Sequence, residues 1–283
     1  MSLGTRAFFK KLGFNFDKNH SGLDNAFLKE FTEDRQSEIR AIWTQVNSFG
    51  GSQTQLYKVP TTQKQAALLF SHDRLRVLKS SEWIKQVTGS INPKSIIEYG
   101  CGAGFLLQYL HYSFPDILLS GVDRCDNLIN TVPKNLPINL HCSNYNEHES
   151  ENCFDLAICD FGWDVSDIPI SQTEHSSEIV FGHATCPGCT ADFELFYFEF
   201  LQAITKNLNL GGYVALTGRF INASHKIAFY NALSSLKLFI SADHSSTLRI
   251  KNLNGQVESF PAYLITSKHD SLIVEKLEDF LRL

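Results

Sequence analysis

The chain has 283 residues, of which 43% are hydrophobic and 12% aromatic, and its formal net charge is −5 at pH 7. This composition excludes a mostly disordered chain, and the length predicts one large domain or a domain with an appendage. The charge is uneven, with 13 Lys and Arg against 8 Asp and Glu in residues 1–90, and 12 against 22 in residues 91–283. A nucleic-acid-binding surface over the whole protein is therefore disfavoured.

Helical periodicity dominates the first part of the chain. Apolar residues recur at helical spacing between Ala26 and Val46, and the Gly- and Ser-containing stretch at 48–52 indicates a linker. We place a domain boundary near residue 56. Residues 1–56 are predicted to form a helical extension that covers the active site or makes a homodimer contact, and residues 57–283 the main domain. Two more helices are predicted, over 63–78 and 81–88.

From residue 94 onward, short apolar runs bounded by turn residues alternate with helical patterns. Such alternation is typical of a parallel sheet with crossover helices. The predicted strands are residues 95–99, 118–122, 138–141, 156–159, 213–217, 238–242 and 262–267. They predict a doubly wound α/β fold with a seven-stranded, mostly parallel sheet. The last two strands are expected to form an antiparallel edge hairpin, because the residues between them have no helical period.

A glycine-rich turn follows the first predicted strand. The sequence from Glu98 to Gly104 reads E-Y-G-C-G-A-G, and a helical run comes directly after it. Glycines let the backbone approach a ligand closely, and the start of a helix offers free N–H groups to an anionic or polar group. The G-x-G-x-G spacing differs from the dinucleotide fingerprint G-x-G-x-x-G, so an NAD-dependent enzyme is disfavoured. Asp123, at the end of the second strand, lies where a carboxylate can bind a ribose diol.

Residues 97–104 resemble the first motif of class I S-adenosylmethionine-dependent methyltransferases. Residues 121–123, 154–160 and 210–216 resemble further motifs of that family, in the order in which the family carries them. The resemblance covers residues 61–283. It implies a Rossmann-like methyltransferase domain, a methyltransferase activity and S-adenosylmethionine as the cofactor.

The resemblance also implies a cofactor site at the strand ends, formed by Glu98, Gly100, Cys101, Gly102, Gly104, Asp123, Arg124, Asn144 and Asp160. The first glycines and Cys101 would line the methionine moiety, and Glu98 would reach its amino group through water. Asp123 would bind the ribose hydroxyls, and Arg124 would lie against the adenine. Asn144 stands where the family often has an Asp, and its carbonyl can still accept a hydrogen bond from the adenine amino group. A purely structural role for the glycines is disfavoured, because the polar residues follow strand ends.

Asp160 is the candidate catalytic residue. Methyl transfer from a sulfonium needs alignment and exclusion of water, and it needs a base only when the acceptor must lose a proton. The resemblance places Asp160 and Trp163 where amine-methylating relatives hold their substrate, although the two prolines of those relatives are missing. Asp160 is predicted to orient or deprotonate an acceptor, and a mere turn-capping role stays open.

Residues 165–190 have little periodicity and are predicted to form a lid-like insertion over the substrate. The insertion contains His175, His183 and the pair Cys186 and Cys189, separated by Pro-Gly. Structural zinc, a redox or disulfide pair and two unbonded thiols all stay open. Zinc is not favoured, and no metal ligand is assigned, because one C-x-x-C has no matching second pair. His225 is a further candidate base, although an exposed histidine is the commoner case.

The sequence thus predicts an enzyme that moves a methyl group to an O, N or C nucleophile of a small molecule. Seven cysteines without a secretory leader, and no long apolar run, indicate a reduced, cytoplasmic protein without a membrane partner. Two alternatives stay open. One is a protein or RNA methyltransferase that uses the positive N-terminal part, and the other is a catalytically silent binding or assembly protein with the same fold.

Overall fold

The computed structural model describes residues 4–17, 19–49, 54–162, 186–220, 223–251 and 255–268. Within these residues one sheet contains eight strands. They are β1 (Ser95–Tyr99), β2 (Leu118–Asp123), β3 (Ile138–Cys142), β4 (Phe154–Asp160), β5 (Leu208–Thr217), β6 (Phe239–Ile240), β7 (Ser246–Lys251) and β8 (Val257–Thr266). The strand order is β3-β2-β1-β4-β5-β8-β6, and β7 pairs with β8 beside this path.

The first five strands are parallel to one another, and β8 runs antiparallel to β5, β6 and β7. This arrangement confirms the predicted mostly parallel Rossmann-like sheet with an antiparallel edge. The predicted hairpin partners do pair, but β8 lies between β5 and β6, and β7 is an eighth strand. The strand at Ser246–Lys251 was not predicted, because the segment has no continuous apolar run and only Leu248 and Ile250 are buried.

Ten helices are present in the described residues. They are α1 (Thr5–Lys11), α2 (His20–Leu28), α3 (Glu33–Phe49), α4 (Thr54–Tyr57), α5 (Gln63–Leu69), α6 (Arg74–Ile91), α7 (Phe105–Ser113), α8 (Asp126–Ile129), α9 (Pro187–Thr205) and α10 (Ala223–Ser235). The predicted helix at 63–78 is in fact broken by a 3₁₀ turn at Phe70–Asp73. The Ser71 hydroxyl donates to the Ala67 carbonyl and accepts the Asn15 N–H, which fixes this turn against the N-terminal segment.

Helices cover both faces of the sheet. One face packs under α9 and α10, where Phe193, Tyr197 and Phe229 join the strand residues in the larger apolar cluster. The other face packs under α6 and α7, with Trp83 and Leu107 in its cluster. Because both faces are covered, the polar edge at the carboxyl ends of the parallel strands is left to bind ligands.

The N-terminal helix packs directly against α7. Phe8, Phe9 and Phe14 are buried in one cluster with Phe105 and Tyr109. The rings of Phe9 and Tyr109 lie 5.7 Å apart, and the hydroxyls of Thr5 and Tyr109 are 2.9 Å apart. Since α7 begins at the glycine turn, the N-terminal residues support the helix that presents this turn.

Candidate active site

The turn after β1 is held in a left-handed backbone conformation that suits glycine. Gly100, Gly102 and Gly104 have φ values of +78°, +50° and +63°. The N–H groups of Gly100 and Cys101 donate to the Val122 carbonyl at 2.8 and 3.1 Å. The turn therefore bends back onto β2 and brings the backbone to the carboxyl edge of the sheet, as the motif predicted.

We expect Gly100→Ala to lower the free energy of unfolding by about 1–3 kcal/mol, because it adds left-handed strain and a clash. A Cβ at Gly100 would lie 2.8 Å from Gly162 Cα and 2.9 Å from the Tyr145 hydroxyl. Denaturant unfolding measures the loss. Gly4→Ala is the matched control, because its Cβ would meet nothing within 4 Å. Equal stability changes in the two variants would contradict the tight packing at Gly100.

Asp123 joins the glycine turn to the start of α8. Its Oδ2 accepts the Gly102 N–H and its Oδ1 accepts the Cys125 N–H, each at 2.7 Å. Burial raises the pKa of Asp123 above its ordinary value, against the opposing effect of these two hydrogen bonds. The carboxylate thus has a fixed orientation at the tip of β2.

Glu98 is buried beneath the same turn. Its side chain is 4% exposed, and its Oε2 has no hydrogen-bond partner among the described residues. Glu98 pairs in register with Gly121 of β2 and Ile158 of β4, so Asp123 and Asp160 follow two residues later on the same face. Burial first, and then the charges of Asp160 and Asp123, raise the pKa of Glu98 well above its usual range. Three carboxyl groups therefore converge at adjacent strand ends.

Asp160 is held by three neighbours. The hydroxyls of Ser80 and Thr217 donate to its two oxygens at 2.9 and 2.5 Å. The Arg76 Nη1 atom lies 3.9 Å from Asp160 Oδ1. The first hydroxyl comes from α6 and the second from β5, so Asp160 connects three elements at the edge of the sheet.

A cavity of about 610 Å³ opens at this edge. Six of the predicted site residues line it: Gly100, Gly102, Asp123, Arg124, Asn144 and Asp160. Glu98 and Cys101 are buried, and Gly104 directly precedes α7. Those three are not among the lining residues. The prediction that these residues form one site is therefore supported by their placement, while their roles stay predictions.

Arg124 and Asn144 lie on the exposed side of the cavity. The Asn144 amide nitrogen donates to Glu147 Oε2 at 2.8 Å. That bond orients the side chain so that its carbonyl oxygen is the remaining acceptor. An acceptor at this position is what the resemblance requires of Asn144.

Sequence reasoning missed other cavity residues. Tyr57, Phe70 and Arg76 come from helices ahead of β1, Tyr145 follows β3, and Phe161 follows β4. The Tyr145 hydroxyl donates to the Gly162 carbonyl and so bridges the loops after β3 and β4. No motif marks these residues, because they reach the cavity only through the tertiary fold.

The cysteine pair lies at the start of α9. Cys186 precedes the first residue of the helix, and Cys186 and Cys189 are both buried and take part in no disulfide among the described residues. N–H groups of Cys189 and Gly188 lower the pKa of the Cys186 thiol. Among the described residues, no group of three or more His, Cys, Asp and Glu side chains could hold a metal ion. His175, His183, Trp163 and most of the predicted lid lie outside the described residues.

His225 is buried between α9 and α10 and does not line the cavity. Its ring stacks on Phe193 with centroids 3.7 Å apart, and its Nδ1 lies 3.3 Å from the Tyr197 hydroxyl. Burial lowers the pKa of His225 to about 4. The candidate base of the sequence analysis therefore lies in the core.

The folded protein is expected to lose stability as the pH falls from 6.5 toward 4, because buried His225 binds its proton less readily than an unfolded histidine. His225→Gln should flatten this part of the curve of unfolding free energy against pH. His244→Gln, at an exposed position, should leave the slope unchanged. An identical slope in the wild-type chain and His225→Gln would contradict the argument.

Comparison with known proteins gives one local sequence match. No protein-family model matches the chain. Over 76 residues it is 34% identical to malonyl-[acyl-carrier protein] O-methyltransferase of Anoxybacillus flavithermus (strain DSM 21510 / WK1), which is 25% of this chain and 29% of that protein. The chain thus matches less than a third of the length of this curated relative.

Solved structures resemble the chain more broadly but weakly. The plantazolicin methyltransferase BpumL, in complex with a pentazolic desmethylPZN analog and SAH, has 13% identity and a TM-score of 0.43 over 93% of this chain and 98% of its own. The N-methyltransferase NodS from Bradyrhizobium japonicum WM9 has 11% identity and a TM-score of 0.43, covering 69% and 98%. At such scores the fold assignment depends on the strand order of the chain itself.

The described residues have the fold of the class I S-adenosylmethionine-dependent methyltransferases. Five parallel strands in the order β3-β2-β1-β4-β5, the antiparallel β8 beside β5, and the glycine turn after β1 define this class. The resemblance found in the sequence is therefore confirmed for the fold. No helix among the described residues is long and apolar enough to cross a membrane.

Proposed function

We propose that the chain binds S-adenosylmethionine and transfers its methyl group to an O, N or C nucleophile of a small molecule. The observation that carries the proposal is the cavity at the strand ends, where the glycine turn meets Asp123 and Asp160. Parallel α/β sheets bind ligands at this edge. The local match to an O-methyltransferase is further support.

The residues present fit this cofactor. Each oxygen of Asp123 accepts one backbone N–H, and an ionised carboxylate offers about four acceptor sites, so both oxygens can still accept a ribose hydroxyl. A Cβ at Gly100 would clash with Gly162 and with the Tyr145 hydroxyl, so only glycine lets the turn lie this close to the loop after β4 at the wall of the cavity. Glu98 Oε2, which has no hydrogen-bond partner in the described ranges, provides an acceptor that the amino group can reach through water. Arg124 and Asn144 hold the adenine.

The cofactor would supply an electrophilic methyl group, and the chain's own residues would position the acceptor and exclude water. Asp160 is the residue we propose to orient the acceptor or take its proton. Its hydrogen bonds from Ser80 and Thr217 fix the orientation of the carboxyl group at the wall of the cavity. Phe196 and Phe200 line the cavity as aromatic walls, which favours a small, partly apolar acceptor.

Calorimetric titration of the full chain with S-adenosylmethionine, S-adenosylhomocysteine and NAD tests the cofactor. We expect micromolar binding of the two sulfur compounds and none of NAD. If the folded protein binds neither sulfur compound, the methyltransferase proposal fails.

Transfer of a labelled methyl group to fractionated cell extract tests the acceptor class. We expect label in the small-molecule fraction. Label in RNA or protein would overturn the small-molecule proposal while leaving the cofactor proposal in place.

A further inference from the structure

Arg76 is a cavity residue whose guanidinium is mostly enclosed but makes no hydrogen bond to any described residue. Its side chain is 14% exposed, and its nearest carboxylate oxygens, on Asp73 and Asp160, lie 3.6 and 3.9 Å away. The guanidinium carbon lies 4.1 Å from the centre of the Phe161 ring. In the part of the chain that the structure describes, no accepting oxygen lies within hydrogen-bonding range of the five N–H donors of this guanidinium.

Phe161 holds this guanidinium in place through an unusual backbone conformation. Its φ of +53° lies in the left-handed region, which bulky residues rarely adopt. The ring packs edge-on against Phe260 with centroids 5.2 Å apart, and its face meets Arg76. Backbone strain of this kind is concentrated at binding sites. The planar support restrains the fork of Arg76, which lowers the cost of ordering it on a ligand.

The other two cavity arginines are differently placed. Arg219 donates to Glu258 Oε2 at 3.2 Å and lies over the Phe260 ring. Arg124 directly follows Asp123 at the end of β2, on the ribose side of the cavity. Arg76 alone of the three lies beside the strand end of β4, where Asp160 makes the surroundings acidic.

We propose that Arg76, supported by Phe161, binds the carboxylate of the cofactor's amino-acid part. The inference rests on the proposed function and assigns a partner to the one anionic group of that cofactor. A guanidinium and a carboxylate match as two parallel N–H···O bonds. Glu98 then serves the cationic amino group, while Arg76 serves the carboxylate.

Calorimetry with S-adenosylmethionine and its decarboxylated form tests the assignment, because the two ligands differ only in the carboxylate. We expect the wild-type chain to bind the complete cofactor about 10- to 100-fold more tightly. Arg76→Gln should remove this difference and leave the affinity for the decarboxylated form unchanged. Arg76→Lys keeps the positive charge but loses the planar pair of N–H donors, so it should retain part of the preference for the complete cofactor. Phe161→Leu should reduce this preference without abolishing it.

Arg219→Gln is the matched control, since it removes one positive charge from another wall of the same cavity. It should keep the wild-type preference for the complete cofactor. If Arg76→Gln weakens both ligands equally, or Arg219→Gln loses the preference as well, the assignment to Arg76 is overturned. Failure of the wild-type chain to bind either ligand would instead overturn the proposed function.

Discussion

Asp123→Asn should lower the affinity for S-adenosylhomocysteine by at least about 100-fold, the largest effect expected on binding in this chain. The variant removes the charge that we propose receives the ribose hydroxyls. It also turns an amide nitrogen toward the N–H of Gly102 or Cys125, both of which need an acceptor. Part of the loss therefore comes from losing one of these two backbone hydrogen bonds at the tip of β2. Calorimetry on the purified variant measures the change.

Asp155→Asn is the control for a lost structural carboxylate. Asp155 accepts N–H groups of Lys94 and Ser95 and the amide of Asn209 at the opposite edge of the sheet. This variant should lose stability and keep its ligand affinity. Wild-type affinity in Asp123→Asn would refute the ribose role, whatever the stability of the variant.

Phe9→Ala should lower the free energy of unfolding by about 3–5 kcal/mol. Phe9 is fully buried, and its ring contacts Phe14 and Tyr109 at centroid distances of 5.1 and 5.7 Å. A cavity at this point would loosen α1 from α7, the helix that presents the glycine turn. Urea unfolding followed by circular dichroism measures the loss.

Leu210→Ala is the matched surface control, because Leu210 is fully exposed and its truncation should cost less than about 0.5 kcal/mol. A Phe9→Ala chain as stable as the control would contradict the packing of α1 against α7.

The central parallel strands were predictable from the chain because they are buried on both faces. Ser95–Tyr99 is buried from Ile96 to Tyr99 and matches the predicted strand residue for residue. The antiparallel half was harder to predict. In Ser246–Lys251 only Leu248 and Ile250 are buried, so this strand gives no continuous apolar run. The strand β6 has only two residues, which lie inside the predicted range 238–242. Periodicity also predicted one helix over residues 63–78. It gave no sign of the break at Phe70–Asp73, because the hydrogen bond from Asn15 to Ser71 forms only in the tertiary structure.

The site residues also fall into two groups, those that the sequence marks and those that it does not. Gly100 and Asp123 carry local signals, a turn that needs glycine and an acid at a strand end, and both line the cavity. Arg76 and Phe161 are 85 positions apart in the chain and carry none. A phenylalanine does not reveal a left-handed backbone, and an arginine on a helix is usually solvated. Only the fold brings these two side chains together.

Because β8 lies between β5 and β6, the sheet cannot be completed until β8 has been synthesised. β5 and β6 are both hydrogen-bonded to β8, which is made after them. At synthesis rates of about 5–20 residues per second, the roughly 40 residues between the end of β5 and the start of β8 take about 2–8 s. During that interval β5 has an unpaired edge that a neighbouring nascent chain can join. Chaperone protection at the ribosome would matter most in this window, and messages cut short before residue 257 would yield chains prone to aggregation.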